Sequence, residues 1–454
     1  MRPGALALAL LALVSGVARA QDAAPPPRPN VLFLVVDDLN DWVGCLGGNP
    51  QTRTPNIDRL ASRGMLFTNA HAAAPSCNPS RVAVLTGVAP YRSGLYDNTP
   101  GLREVFPDAV TLPQRLHAAG YHALGSGKVF HHAYPDPASW DEFFPSKDVQ
   151  MPSDTTRGKL VKLYGSLFGV AVDAPATELC DGKVAEWVSA QLARPPQEPF
   201  FLACGFYRPH TPWVATADAY ARFPLEQVEL PAARPDDLDD VPAAARTLEG
   251  RAAAKAATPD EARRAVQAYL ACIAFVDDQV GRVLDALDRS PAAKNTIVVL
   301  WGDNGFHLGQ KERWGKETLW EESTHVPLIV LAPGVAPGSR CARPVSLQDL
   351  HPTLLELCGL PPVAGVDGTS LTPLLADPEA PWERPALTTS GFGNHSVRSE
   401  RWRYTRYADG GEELYDLEAD PHEWTNRAAD PACAATKAEL ARWIPTENAA
   451  DVRK

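Results

Sequence analysis

Residues 31 to 36 are Val31, Leu32, Phe33, Leu34, Val35 and Val36, and two carboxylates, Asp37 and Asp38, close the run. A strand with one face in water alternates apolar and polar side chains. A strand that is apolar at every position needs cover on both faces. This stretch therefore predicts the middle strand of a mainly parallel sheet, with helices above and below it. It also puts Asp37 and Asp38 at the carboxyl end of that strand, where open α/β sheets carry their sites. Similar runs follow. Residues 200–206 lead into Tyr207, Arg208, Pro209 and His210, and residues 296–300 lead into Gly302, Asp303 and Asn304. Residues 66–71, 121–126 and 326–331 read as further strands. Helical patterns lie between them, the longest over 259–289 with Val266, Leu270, Ile273, Val276, Val280 and Leu284 on one face. This alternation to about residue 375 predicts an α/β fold.

The pattern then changes. Residues 386–390, 396–400, 404–407 and 413–416 read as short strands at hairpin spacing, with a closing helix over 434–443, which predicts a small C-terminal antiparallel subdomain. The weakly periodic stretch 142–177 reads as an excursion over the active face. The Pro-, Ala- and Asp-rich stretch 225–258 reads as an exposed insertion. At the amino end, Arg2, the apolar residues 5–14 and the Ala18, Arg19, Ala20 triplet have the form of a cleaved export signal. The chain thus divides into a signal peptide (1–20), a Pro-rich tether (21–29), a catalytic domain (30–375) and a C-terminal subdomain (376–454). No other stretch is apolar and long enough to span a membrane, so the expectation is an exported protein, periplasmic or secreted, with no membrane anchor. The net charge of −12 argues against nucleic-acid partners. It leaves room for an anionic substrate in a locally basic pocket. Eight cysteines with no C-x-x-C pair make a thiolate zinc site a poor reading, and their spacing does not pair them.

Chemistry concentrates around Cys77, Pro79, Ser80, Arg81, Leu85, Thr86 and Gly87, which spell C-x-P-S-R-x-x-x-L-T-G. A lone cysteine before a turn is most often core. The full run makes chance a poor account of it, and its Pro79, Ser80 and Arg81 predict the opening of a helix whose N–H groups face an anion. Asp37, Asp38, Asp303 and Asn304 are hard oxygen donors at two strand ends, a set that suits Ca²⁺ or Mg²⁺. Arg81, Lys128, His131, His210 and Lys316 each follow a strand or lie in the signature. Together they supply the fixed cations that a tetrahedral anion needs.

These residues resemble the formylglycine-dependent sulfatases. The likeness covers nearly the whole chain after the leader: Asn30 to Asp38, Thr54 to Ala61, the Cys77 signature, Gly127 with Lys128, Asp303 to Gly305, Lys316, and Glu413 to Leu417 with Asp420, Pro421 and Glu423. The branch it most resembles is that of the iduronate-2-sulfatases, through Gly127 to His131, Gly94 to Asp97, Thr324 to Leu328 and Trp402 to Thr405. Asn304 and Phe306 depart from that branch. The resemblance implies an alkaline-phosphatase-like α/β sandwich and sulfate ester hydrolysis. It implies one Ca²⁺ on Asp37, Asp38, Asp303, Asn304 and residue 77, and oxidation of Cys77 to formylglycine by a formylglycine-generating enzyme.

The implied nucleophile is a hydroxyl of the hydrated aldehyde. Arg81 would stabilise charge on the sulfuryl oxygens, which Lys128 and Lys316 would hold. His210 would protonate the leaving oxygen, and His131 would serve as the base that completes turnover. The favoured substrate is a 2-O-sulfated uronic acid at the end of a glycosaminoglycan or similar polysaccharide. His132, Arg208 and Arg398 are candidates to meet its carboxylate. Rival readings are another sulfated carbohydrate or aryl sulfate, a phosphate or phosphonate ester hydrolase on the same scaffold, and an inactive binder of sulfated glycans.

Overall fold

The computed structural model describes residues 28–131, 135–145, 153–164, 167–197, 199–248 and 258–451. The leader, most of the tether and His132 lie outside them. The all-apolar run is the interior of the strand Asn30–Val36, buried at every position. It pairs in parallel with Thr296–Gly302 on one side and Phe200–Phe206 on the other. Among the described residues this sheet has eight strands. In spatial order they are Ser339–Cys341, Met65–Phe67, Leu328–Leu331, Thr296–Gly302, Asn30–Val36, Phe200–Phe206, His122–Gly127 and Glu142–Phe144. Only Leu328–Leu331 runs against the rest. Side chains of the middle strand alternate between two cores. Leu32, Leu34 and Val36 pack with the long helix Pro259–Arg289 and with Ile57, Leu60, Val184 and Val188. Val31, Phe33 and Val35 pack with Val82, Leu85, Leu112, Leu116, Leu350 and Leu354 on the opposite face.

Register positions the site. Val36 lies level with Gly302 and with Phe206, and Gly127 lies level with Gly205. Asp37, Asp303 and Lys128, each the next residue along its strand, therefore emerge side by side at one edge. The C-terminal sheet is four antiparallel strands, Ala386–Thr389, His395–Arg398, Trp402–Arg406 and Glu412–Asp416, closed by the helix Ala434–Ala441.

Three segments differ from the sequence expectation. The predicted strand 66–71 breaks after Phe67, and Ala70–His71 pairs with Val345–Ser346 instead. The described parts of the stretch 142–177 include regular strands. Glu142–Phe144 is the last strand of the main sheet, and Val161–Tyr164 and Leu167–Val172 form a small sheet with Trp213–Thr216. The stretch 225–258 is not simply exposed, because Leu238, Val241, Ala245 and Leu248 pack under Trp320, Tyr407 and Tyr415. None of the eight cysteines is joined in a disulfide. Among the described residues no helix is long and apolar enough to cross a membrane.

Candidate active site

Three carboxylates meet at the sheet edge. Asp37, Asp38 and Asp303 are all buried, and one oxygen from each lies within 4.8 Å of the others. Asp38 turns the chain through φ +58°, a conformation that costs a non-glycine residue about 1–3 kcal/mol. Two fixed partners hold it there. Its N–H donates to Asp303 Oδ1 at 2.9 Å, and its carbonyl accepts from the Tyr269 hydroxyl at 2.7 Å. Arg81, fully buried, clamps the carboxylates from below. Nε donates to Asp303 at 2.7 Å, one terminal nitrogen to Asp37 at 3.1 Å, and the other to the carbonyls of Lys128 and Val129. All three guanidinium nitrogens are engaged. Arg81 thus ties Asp37 to Asp303 from beneath.

Cys77 sits over these carboxylates. Its sulfur lies 3.4 Å from Asp37 Oδ1 and 3.8 Å from Asp38 Oδ1. Lys128 and Lys316 reach it from two directions, with Nζ at 3.6 Å and 2.7 Å. Lys128 also pairs with Asp37, and Lys316 with Asp38. The helix starts at Cys77 and runs to Thr86, two residues earlier than the sequence predicted, with Pro79 in the first turn where its missing N–H costs nothing. That turn is not an open anion site. The Asn78 N–H is taken by Asn98 Oδ1 at 2.9 Å and the Ser80 N–H by the Ser76 carbonyl at 3.1 Å. Gly87 ends the helix at φ +74°, and a Cβ there would lie 2.8 Å from Val366 Cγ1.

His210 completes the rim. Its side chain is 34% exposed, and Nε2 lies 4.0 Å from Asp38 Oδ2. Nδ1 meets the Thr211 carbonyl at 2.5 Å, so Nδ1 carries the ring proton and Nε2 is the atom free to exchange one. Arg208 supports this loop. It donates to the carbonyls of His210 and Val214 and pairs with Asp154 at 3.0 Å. Arg398 is likewise committed, to Glu321 and to the carbonyls of Ser399 and Glu400. Neither is the spare cation for a uronate that the sequence offered. His131, half-buried, ends the segment that begins with Lys128.

Electrostatics follow from this packing. Burial works against ionising Asp37, but Lys128 and then His210, Arg81 and Lys316 hold its carboxyl well below the usual range. Burial likewise opposes charge on Lys316, yet Asp38 and Cys77 hold its ammonium well above the usual range. Burial and then Asp37 push the Cys77 thiol far up, so an unmodified thiol here is a poor nucleophile. Burial and then Lys128 bring His210 down to about 4.

The donor set fits one hard divalent cation. Three carboxylates converge, and Asn304 Oδ1 is buried with no hydrogen-bond partner while its Nδ2 donates to Asp38 at 2.9 Å. An oxygen orphaned beside three carboxylates is what a Ca²⁺ site offers. Asp37, Asp38 and Asp303 are balanced by Arg81, Lys128 and Lys316, so a dication and an anionic ester can enter together without leaving a large net charge.

The profile described as Sulfatase matches residues 29–360, and that of the N-sulphoglucosamine sulphohydrolase C-terminal region matches residues 309–449. The chain belongs to the sulfatase family. A protein named sulfatase from Formosa agariphila is 37% identical to it over 444 residues, spanning 93% of this chain and 87% of that one. Iduronate 2-sulfatase of Homo sapiens is 34% identical over 381 residues, spanning 73% and 69%. A phosphonate monoester hydrolase of Agrobacterium radiobacter shares the alkaline-phosphatase-like fold, with a TM-score of 0.76 over 91% of this chain and 94% of that one at 24% identity. This sulfatase is accordingly a sulfuric ester hydrolase.

Several supports of the sulfatase site were not visible in the sequence. Tyr269, which holds Asp38, lies in the apolar pattern of the long helix and reads there as core. Asp181, buried at the start of the helix Cys180–Ala193, accepts from the N–H groups of Tyr207 and Arg208 at 2.7 and 2.9 Å and fixes the His210 loop. Arg403 ties the C-terminal sheet to the Lys316 segment through the Leu319 carbonyl, Glu321, Thr324 and Glu423. An acid one residue into a helix reads as a cap, and an arginine in a short strand reads as surface. The only sequence signal was that Arg403 and Glu423 fall within the C-terminal stretches already likened to the family.

Proposed function

We propose that this sulfatase removes sulfate from 2-O-sulfated uronic acid at the end of a glycosaminoglycan or similar polysaccharide, with Cys77 as the precursor of its nucleophile. The observation that carries the chemistry is the convergence on one buried sulfur of two carboxylates and two ammonium groups, all within 3.8 Å. In this reading Cys77 oxidised to formylglycine supplies a hydrated aldehyde hydroxyl, and Ca²⁺ on Asp37, Asp38, Asp303 and Asn304 supplies polarising charge. Lys128 and Lys316 hold the ester's sulfuryl oxygens from two sides. Arg81 keeps Asp37 and Asp303 in place beneath them. His210 gives a proton from Nε2 to the leaving sugar oxygen, held in orientation by its Nδ1 bond to Thr211. His131 is the base that completes turnover.

The uronate assignment is supported by the iduronate-type motifs around Lys128 and by the 34% identity to iduronate 2-sulfatase. Maturation by a formylglycine-generating enzyme and export through the 1–20 leader belong to the same reading. Two measurements test it. Mass spectrometry of the Cys77 peptide from active enzyme shows the aldehyde; fully active protein with an intact thiol would end the nucleophile assignment. Rates on a 2-O-sulfated uronate disaccharide exceed those on 6-O-sulfated glucosamine, sulfated N-acetylgalactosamine and an aryl sulfate. A preference for any of the latter three would end the sugar assignment and leave sulfate ester hydrolysis standing.

A further inference from the structure

A second pocket, of about 140 Å³, lies between the loops after the Cys77 helix and the start of the C-terminal sheet, and shares no residue with the cluster around Cys77. Tyr91, Trp382 and Trp443 bring three aromatic side chains to it. Trp443 is 42% exposed, and Trp382 is held as a wall by its indole N–H on the Pro344 carbonyl at 2.8 Å. Gln348 lines the same pocket. It is only 4% exposed, yet its Oε1 has no hydrogen-bond partner. A buried carbonyl oxygen left without a donor is costly, so the position calls for a ligand that donates.

The charges narrow the ligand. Asp349 accepts from the N–H groups of Ser346 and Thr369, and Asp367 accepts from Arg92 and the Ala89 N–H. Asp367 is thereby ion-paired at 2.7 Å with Arg92, and Arg384, the cation of the lining, is bound to Thr369 and to the Asp367 carbonyl. The lining therefore has two carboxylates and no uncommitted cation, and is unsuited to a sulfate group. Aromatic faces with a buried acceptor suit a ring that is apolar on its faces and carries hydroxyls at its edge.

We infer that this pocket is a second carbohydrate site, holding one unsulfated pyranose unit with its face on the aromatic side chains and a hydroxyl donated to Gln348 Oε1. The inference rests on reading the substrate as a polysaccharide. Its placement separates it from the catalytic cluster. The Asp367 N–H donates to the Gly87 carbonyl at 2.7 Å, so the pocket adjoins the C-terminal end of the helix whose first residue is Cys77. A helix of that length spans about 15 Å, too far for one sugar ring to occupy both sites.

The test is calorimetric titration of the full-length protein with a desulfated chondroitin hexasaccharide, in the presence of excess inorganic sulfate to fill the catalytic cluster. Binding is expected, with at least tenfold loss in Trp443→Ala and in Gln348→Met, a near-isosteric change that removes only the acceptor. Both variants should keep wild-type kcat/KM on a small aryl sulfate. Absence of binding, or binding unchanged in both variants, overturns the second site. Loss of binding in the variants of a protein that hydrolyses no sulfate ester would keep the site and refute the catalytic reading instead.

Discussion

Asp303 does three things at once. It accepts from the Asp38 N–H, pairs with Arg81, and offers an oxygen beside Asp37 and Asp38. Asp303→Ala is therefore expected to abolish turnover and to lose the bound divalent cation, read by metal analysis of the purified protein. Retention of one equivalent of Ca²⁺ would show that the ion is held elsewhere. With His210 as the proposed acid, its titration sets the pH dependence. Its imidazole is brought down to about 4, by burial first and Lys128 second. A proton donor acts only in its acid form, so kcat/KM measured at saturating Ca²⁺ should rise as pH falls from 7 towards 4, by up to about tenfold per unit. His210→Gln should remove that limb and lower kcat by roughly 10²–10⁴. A wild-type profile flat over this range would take the acid role from His210. At this scale the sequence was informative wherever chemistry and strand ends coincided: Asp37, Asp38, Cys77, Lys128, Asp303, Asn304 and Lys316 all meet. It did not show that Arg81, Arg208 and Arg398 are engaged within the fold, because a sequence displays a charge but not the carboxylates and carbonyls that meet it.

The elements that deliver these groups differ in how plainly they announce themselves. The middle strand was legible because apolarity without alternation has few outcomes in a fold of this size. The long helix was legible through its periodicity. The short strands in 142–172 were not, because a few residues with mixed burial carry no period. The same limit hid the link between the helix Cys180–Ala193 and the His210 loop, which runs through Asp181. Asp181→Ala should leave two backbone N–H groups without acceptors, at about 1–3 kcal/mol each. The expected result is a lower urea midpoint together with a fall in kcat as the loop loosens. Asp181→Asn, which keeps one acceptor, should lie between. Full activity in Asp181→Ala would mean that the loop is held by the Arg208–Asp154 pair alone.

In the whole molecule, the C-terminal sheet acts as a brace. Through Arg403 it holds the segment from Leu319 to Thr324, just beyond Lys316, so the catalytic edge is assembled from both ends of the chain. The antiparallel character of that sheet was readable from hairpin spacing; its buried ion cluster was not. One consequence concerns time. Cys77 has no solvent exposure, and every residue of its helix is buried between the main sheet and the packing around Leu350 and Leu354. Once the sheet has closed, no other macromolecule can grip this segment, so any enzyme that alters Cys77 must act on a chain that has not yet folded. On the proposed maturation of Cys77, modification and folding then compete, and a molecule that folds first is fixed in the thiol form. Folded protein carrying the thiol should stay unconverted when given a formylglycine-generating enzyme, while a synthetic peptide of residues 72–88 is converted, both followed by mass spectrometry. Equal conversion of the two would mean that the helix opens often enough for its order of assembly not to matter.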